Sequence, residues 1–145
     1  NMKVYGIEAD YERARVGNKL IGKRGSVTHG SAPDMPELNG FADCAIMIDM
    51  LHYLNNDQFG KTIINIYNKL NKDSKLILRC TFPSGKRFPW PRWIEEIRMK
   101  LLSQNISFQK EDEIVKIING AGFEFVERKD SLKNREEKWL IFVKK

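Results

Sequence analysis

Short apolar runs alternate along the chain with longer stretches in which apolar residues recur every three or four positions, the pattern of strands and helices in turn. The first run, Lys3 to Asp10, is β-branched and aromatic and ends in acids. A helix is predicted from Tyr11 to Gly22 with Ala14, Gly17 and Ile21 on one stripe, then a turn at Lys23-Arg24-Gly25 and a short strand at Ser26 to His29. Gly30 to Gly40, which holds Pro33 and Pro36, reads as loop. Asp43 to Ile48 is the most apolar run and is therefore expected to be a central strand. Asn55 and Asn56 can cap the next helix, whose Phe59, Ile63, Ile66, Tyr67 and Leu70 form one buried face through Asn71. Asn71 to Ser74 turns the chain into a second central strand, Lys75 to Cys80.

Pro91 suits the first turn of a further helix, with Ile94, Ile97 and Leu101 inward. Another helix is expected from Glu111, burying Ile114, Ile117, Ile118 and Ala121 and stopping at Gly122. Two last strands, Phe123 to Lys129 and Trp139 to Val143, are joined by the polar stretch Asp130 to Glu137 without a helix between them. They should pair antiparallel. Strands separated by helices elsewhere predict an α/β fold with a mostly parallel sheet. A chain of 145 residues suits a single domain, 1–145, that can bury a real core.

Composition narrows the class. No apolar run approaches the ~20 residues needed to cross a bilayer, and no secretory leader is visible, so a cytoplasmic protein is expected. Cys44 and Cys80 lie inside predicted buried strands with no short spacing to another cysteine or histidine, which points to reduced structural thiols and to no metal site. The net charge of +6 arises from 25 basic and 19 acidic residues interspersed, so most of it reads as solvated surface and nucleic acid is the less favoured partner.

One stretch departs from that mixture. In Thr81 to Lys100, Phe82, Phe88, Trp90 and Trp93 alternate with Lys86, Arg87, Arg92, Arg98 and Lys100. Such a segment could cover a flat or long apolar ligand with an anionic end, or meet a membrane surface through Phe82 to Lys100. It could also stack single-stranded nucleic acid, or simply pack its rings on the sheet and leave its cations in water.

Three side chains stand where chemistry is expected. Glu8 ends the first strand, and an acid at the carboxyl end of a parallel strand can accept hydrogen bonds from both hydroxyls of a ribose. The competing reading is a weak exposed ion pair with Lys3 or Arg13. Asp49 directly follows an apolar strand, so solvent, a ligand or a helix end must offset the cost of desolvating its charge. His52 can serve as a base near that strand end, or pack at the start of the next helix over a buried Tyr53. His29, at the end of a short strand, reads as a surface residue within reach of the same crevice.

The order of these features is a strand ending in an acid, a strand followed by Gly30-Ser31-Ala32-Pro33-Asp34, and the run Ala42 to Leu54. It resembles the class I S-adenosylmethionine-dependent methyltransferases over essentially all of the chain. Ile48-Asp49-Met50-Leu51-His52-Tyr53-Leu54 is its most specific part. The resemblance implies a Rossmann-like sheet closed by an antiparallel C-terminal strand, S-adenosyl-L-methionine as cofactor, and methyl transfer to a small-molecule or lipid-like acceptor without a metal.

On that likeness Glu8 holds the ribose, Ala9 and Asp10 line the adenosine edge, and Gly30, Ser31 and Ala32 lie beside the adenine. Ser31 stands where the family usually has an aspartate. Met47, Ile48 and Asp49 would face the methionine part, and Asp49 and His52 are the catalytic candidates. The family's first strand and glycine-rich turn have no counterpart ahead of Lys3. An N-terminally truncated domain is therefore expected, and the sheet edge it would expose should favour a homodimer. The rival readings are a noncatalytic interaction domain derived from a methyltransferase and an RNA-modifying or RNA-binding protein.

Overall fold

Apolar alternation and helical spacing produce the expected elements in the expected order. In a computed structural model that describes residues 2–38, 40–82, 110–131 and 136–145, β1 is Val4–Glu8, α1 Tyr11–Ile21, β2 Gly25–His29 and β3 Ala42–Ile48. These are followed by α2 (Asn56–Lys69), β4 (Leu70–Thr81), α3 (Glu111–Gly120), β5 (Phe123–Asp130) and β6 (Glu137–Lys144). The helix expected after Pro91, most of the aromatic and basic segment, and the middle of the last connection lie outside the described residues.

Each described helix is bounded by chemistry visible in its sequence. The Asp10 side chain accepts from the Arg13 amide at the start of α1. Asn55 and Gln58 form a capping box at α2: the Asn55 side chain accepts from the Gln58 amide, and the Gln58 side chain accepts from the Asn55 amide. Acidic Glu111, Asp112 and Glu113 open α3 where the helix dipole favours negative charge. Gly122, at a φ of 102°, ends that helix in a conformation an L side chain resists. Helix α2 stops at Lys69, two residues before the expected end, because Leu70 is already extended and begins β4.

The strands form two sheets. β1 and β2 pair in parallel, and the order in the larger sheet is β3-β4-β6-β5. There β3 and β4 run parallel, while β6 lies antiparallel to both β4 and β5. The last strand is thus the only one of the four to run against the others. Helices α2 and α3 cover one face of this sheet. Phe59, Ile63, Leu76, Leu78, Ile114, Ile118, Leu140 and Phe142 are its fully buried heart. Eight such side chains, at about 1.5–3 kcal/mol each for removal from water, are the main stabilising term.

Two expectations about β3 are corrected. Its apolar sequence predicts a central strand, yet among the described residues β3 pairs only with β4 and ends the sheet. Ile46 and Ile48, on the face opposite the one α2 and α3 cover, are 60% and 49% exposed, while Met47 on the covered face is buried. Cys44, expected in a buried strand, is exposed for the same reason, whereas Cys80 on β4 is buried. An apolar run reports that a strand is suited to burial, but the elements that cover each of its two faces come from elsewhere in the fold.

The loop between β2 and β3 ties the smaller sheet to the larger one. Ala32 packs on the core, the Asn65 amide donates to the Pro33 carbonyl at 3.0 Å, and Lys69 Nζ donates to the Leu38 carbonyl at 3.3 Å.

Candidate functional site

Parallel strands gather their carboxyl ends on one edge, and in open α/β sheets that edge forms the binding crevice. Glu8 ends β1 and His29 ends β2, and the two residues are register partners. Glu8 Oε1 accepts from the Asp10 amide at 3.0 Å, so the carboxylate is folded against the turn into α1. Its other oxygen takes no hydrogen bond among the described residues, and neither Lys3 nor Arg13 pairs with it there.

His29 closes the opposite side of this turn. Its Nε2 lies 3.1 Å from the Ala9 carbonyl oxygen, and its ring meets Tyr11 edge-on at 5.6 Å. The Gly30 amide donates to the Glu8 carbonyl at 3.0 Å, which locks the start of the next loop onto β1. Gly30 has a local reason to be glycine: a Cβ there would come within 2.6 Å of the Pro36 ring. Glu8, Ala9, Asp10, His29 and Gly30 are therefore brought together, with exposed Ser31 following.

The Asp10 carboxylate caps α1 through the Arg13 amide and so shapes this turn. Met47, expected to face the methionine part, is only 5% exposed and belongs to the core under β3, whereas Ile48, on the other face, is half exposed. Side chains alternate across a strand, so the two neighbours cannot both face one ligand.

At the end of β3 the chain turns sharply. Asp49 has a φ of 52°, a left-handed conformation that Asp tolerates better than most residues, and its amide donates to the Arg79 carbonyl at 3.0 Å. The Asp49 carboxylate is gripped by Arg79 from β4: Nε donates to Oδ1 at 3.2 Å and Nη2 to Oδ2. Arg79 also lies 3.6 Å from Glu137 Oε1 and 5.6 Å above the Trp139 ring centre, both on β6. Its hydrogen bond to Asp49 raises the guanidinium's already high pKa, so the cation is permanent. The partner that offsets the Asp49 charge is a cation 30 residues away, which no local signal reveals.

His52 sits half-buried on a 3₁₀ turn, Leu51–Tyr53, that bridges β3 to α2. Its ring lies 4.1 Å from that of Tyr53. Tyr53, expected to be buried beneath it, is 48% exposed, because Leu51 and Leu54 fill the core side of the turn instead. Cys80, next to Arg79 but on the core face, has its thiol pKa pushed up to about 12, chiefly by burial and further by the negative charges of Glu111 and Asp49. A thiol held neutral in this way is no nucleophile. Among the described residues no cluster of histidine, cysteine or acids is arranged to hold a metal ion.

Comparison with known proteins identifies the fold. The chain superposes on a SAM-dependent methyltransferase from Methanosarcina mazei with a TM-score of 0.70 at 15% identity, covering 98% of this chain and 82% of that one. A magnesium protoporphyrin IX methyltransferase from Synechocystis, solved with bound SAH, gives 0.68 at 17% identity, covering 99% of this chain and 64% of that one. A [4+2]-cyclase shares the same fold at a TM-score of 0.72 and 11% identity, covering 99% of this chain and 66% of that one. Such likenesses establish a Rossmann-like class I methyltransferase fold. Comparison with curated protein sequences finds no match. A family model described as a methyltransferase domain matches residues 2–128, and by that match the chain belongs to the methyltransferase domain family.

Proposed function

We propose that this domain binds S-adenosylmethionine and takes part in methyl transfer to a small-molecule or lipid-like acceptor. The observation that supports it best is Glu8, an acid at the carboxyl end of β1 with one oxygen fixed by the Asp10 amide and the other taking no hydrogen bond among the described residues. That arrangement suits a pair of ribose hydroxyls. Ala9 and the Gly30 to Ala32 loop would flank the nucleoside, with the Ser31 hydroxyl as a neutral contact, and Ile48 would border the methionine end. Bound S-adenosylmethionine supplies an electrophilic methyl group on a sulfonium.

Displacement at that methyl disperses charge, so the protein's main task is to align the acceptor and exclude water. Asp49 is tied to Arg79, which leaves His52 as the candidate base for a hydroxyl acceptor. The cyclase that shares this fold is a reminder that architecture alone does not fix the reaction.

Calorimetric titration of S-adenosylhomocysteine into the wild-type chain and Glu8→Ala tests the reading. Glu8→Ala deprives the ribose hydroxyls of a charged acceptor, which should weaken binding by roughly 10- to 100-fold. Equal affinities would remove Glu8 from the site, and no binding to either protein would defeat the cofactor assignment.

A further inference from the structure

We propose that Arg79 is a positioning residue: its guanidinium is the latch that fixes the turn from Asp49 to Leu54, and through that turn the His52 end of the donor site. The donor-site half of this proposal rests on the function proposed above, while the latch itself stands on geometry alone.

Three features converge on Arg79. Its backbone carbonyl accepts from the Asp49 amide at 3.0 Å, which continues the β3–β4 pairing one residue past the strand end. Its side chain returns to the same residue and takes the Asp49 carboxylate through two nitrogens. A planar fork held at two points fixes orientation as well as charge, which a lysine ammonium cannot do. The fork is itself aimed from behind by Glu137 at 3.6 Å and by the Trp139 ring at 5.6 Å.

The residue so held is one whose backbone is under strain. Asp49 at a φ of 52° adopts a costly conformation that persists only where its surroundings over-determine it. Immediately after it, the Tyr53 amide donates to the Met50 carbonyl and the Leu54 amide to the Leu51 carbonyl, each at 3.1 Å. Both bonds belong to a single short turn, and that turn starts directly after the latched residue.

Arg79 lies on the face of β4 opposite the buried Leu78 and Cys80, so the core on the α2–α3 side does not need its side chain. Its charge is accounted for by Asp49 and Glu137. Both acids face it from neighbouring strands, which leaves the guanidinium without surplus charge to recruit an anion. Holding the turn is the role that remains.

The test is a double-mutant cycle on the full chain: wild type, Arg79→Gln, Arg79→Lys, Asp49→Asn and the double variant. It is read by amide hydrogen exchange of the 47–54 segment and by calorimetry with S-adenosylhomocysteine. Asn tolerates the left-handed conformation, so Asp49→Asn removes the charge without forbidding the backbone. Arg79→Gln should speed exchange of the Asp49, Tyr53 and Leu54 amides by about twofold to fivefold, the range for a partly exposed charge pair. Exchange of α3 should stay unchanged, and affinity should fall by a similar factor. Arg79→Lys should recover only part of both, and Arg79→Gln should add little in the Asp49→Asn background.

Unchanged exchange in Arg79→Gln, or fully additive losses in the double variant, would overturn the latch. Faster exchange with unchanged affinity would overturn the link to the donor site. Should the wild-type chain bind no S-adenosylhomocysteine, the function proposed above fails, and the exchange data still decide the latch.

Discussion

Gly122→Ala is a sharp probe of how α3 is joined to the sheet. Gly122 has a φ of 102°, where an L residue costs on the order of 1–2 kcal/mol. An added Cβ would also stand 2.8 Å from Cε2, 3.0 Å from Cζ and 3.1 Å from the hydroxyl of Tyr67 on α2. That ring is not free to swing away. Its hydroxyl donates to the Lys145 carbonyl at 3.2 Å, it meets Phe123 edge-on at 5.2 Å, and Lys144 Nζ sits 4.1 Å from its centre. Displacing it weakens each of these interactions, at roughly 0.5–1.5 kcal/mol apiece.

The combined loss is about 2–4 kcal/mol, or a fall in Tm of roughly 5–12 °C for a chain of this size. Urea unfolding followed by circular dichroism measures it. Tyr67→Ala removes the obstruction, so Gly122→Ala made in that background should cost only the backbone part. A loss below ~0.5 kcal/mol in the wild-type background, or equal losses in both backgrounds, would refute the steric argument.

Other perturbations have equally definite outcomes. Asn55→Ala removes the half of the capping box in which its side chain accepts from the Gln58 amide, leaves the half donated by its own backbone amide, and should cost about 1 kcal/mol in the same unfolding assay, with Asn55→Asp close to neutral; equal stability of all three would refute the role of the cap. Cys44 should react promptly with a thiol reagent in the folded protein while Cys80 reacts only on unfolding, and simultaneous labelling of both under native conditions would contradict the assigned burial. The raised thiol pKa of Cys80 gives a pH dependence with a fixed sign. Below about pH 9 both folded and unfolded states keep the proton and the neutral thiol penalises neither. Between pH 9 and 12 only the unfolded chain releases it, so stability falls as pH rises. Cys80→Ala should flatten that part of the pH profile, and an unaltered slope would show that other groups produce it.

Local order was written in the residues themselves. The spacing of Phe59, Ile63 and Ile66 requires a helix with one apolar face, Asn55 and Gln58 mark its start, and Gly122 marks the end of α3, because each signal acts within a few residues of its cause. Glu8 and His52 were legible as candidates for the same reason: a strand or an apolar run ends beside them, and the family resemblance follows their spacing. Pairing is different, since it joins residues that no short window contains. The apolar run of β3 could not reveal that β3 ends its sheet, nor that Cys44, Ile46 and Ile48 stand on the face away from the core and are exposed despite their type. Nor could the sequence tell that Asp49 meets Arg79, or that Met47 faces the core and Ile48 the open side. Composition and periodicity determine which elements form and which faces favour burial. Only the tertiary structure decides which neighbours those faces find, because that choice depends on contacts made across tens of residues and on the alternation of side chains at each strand end.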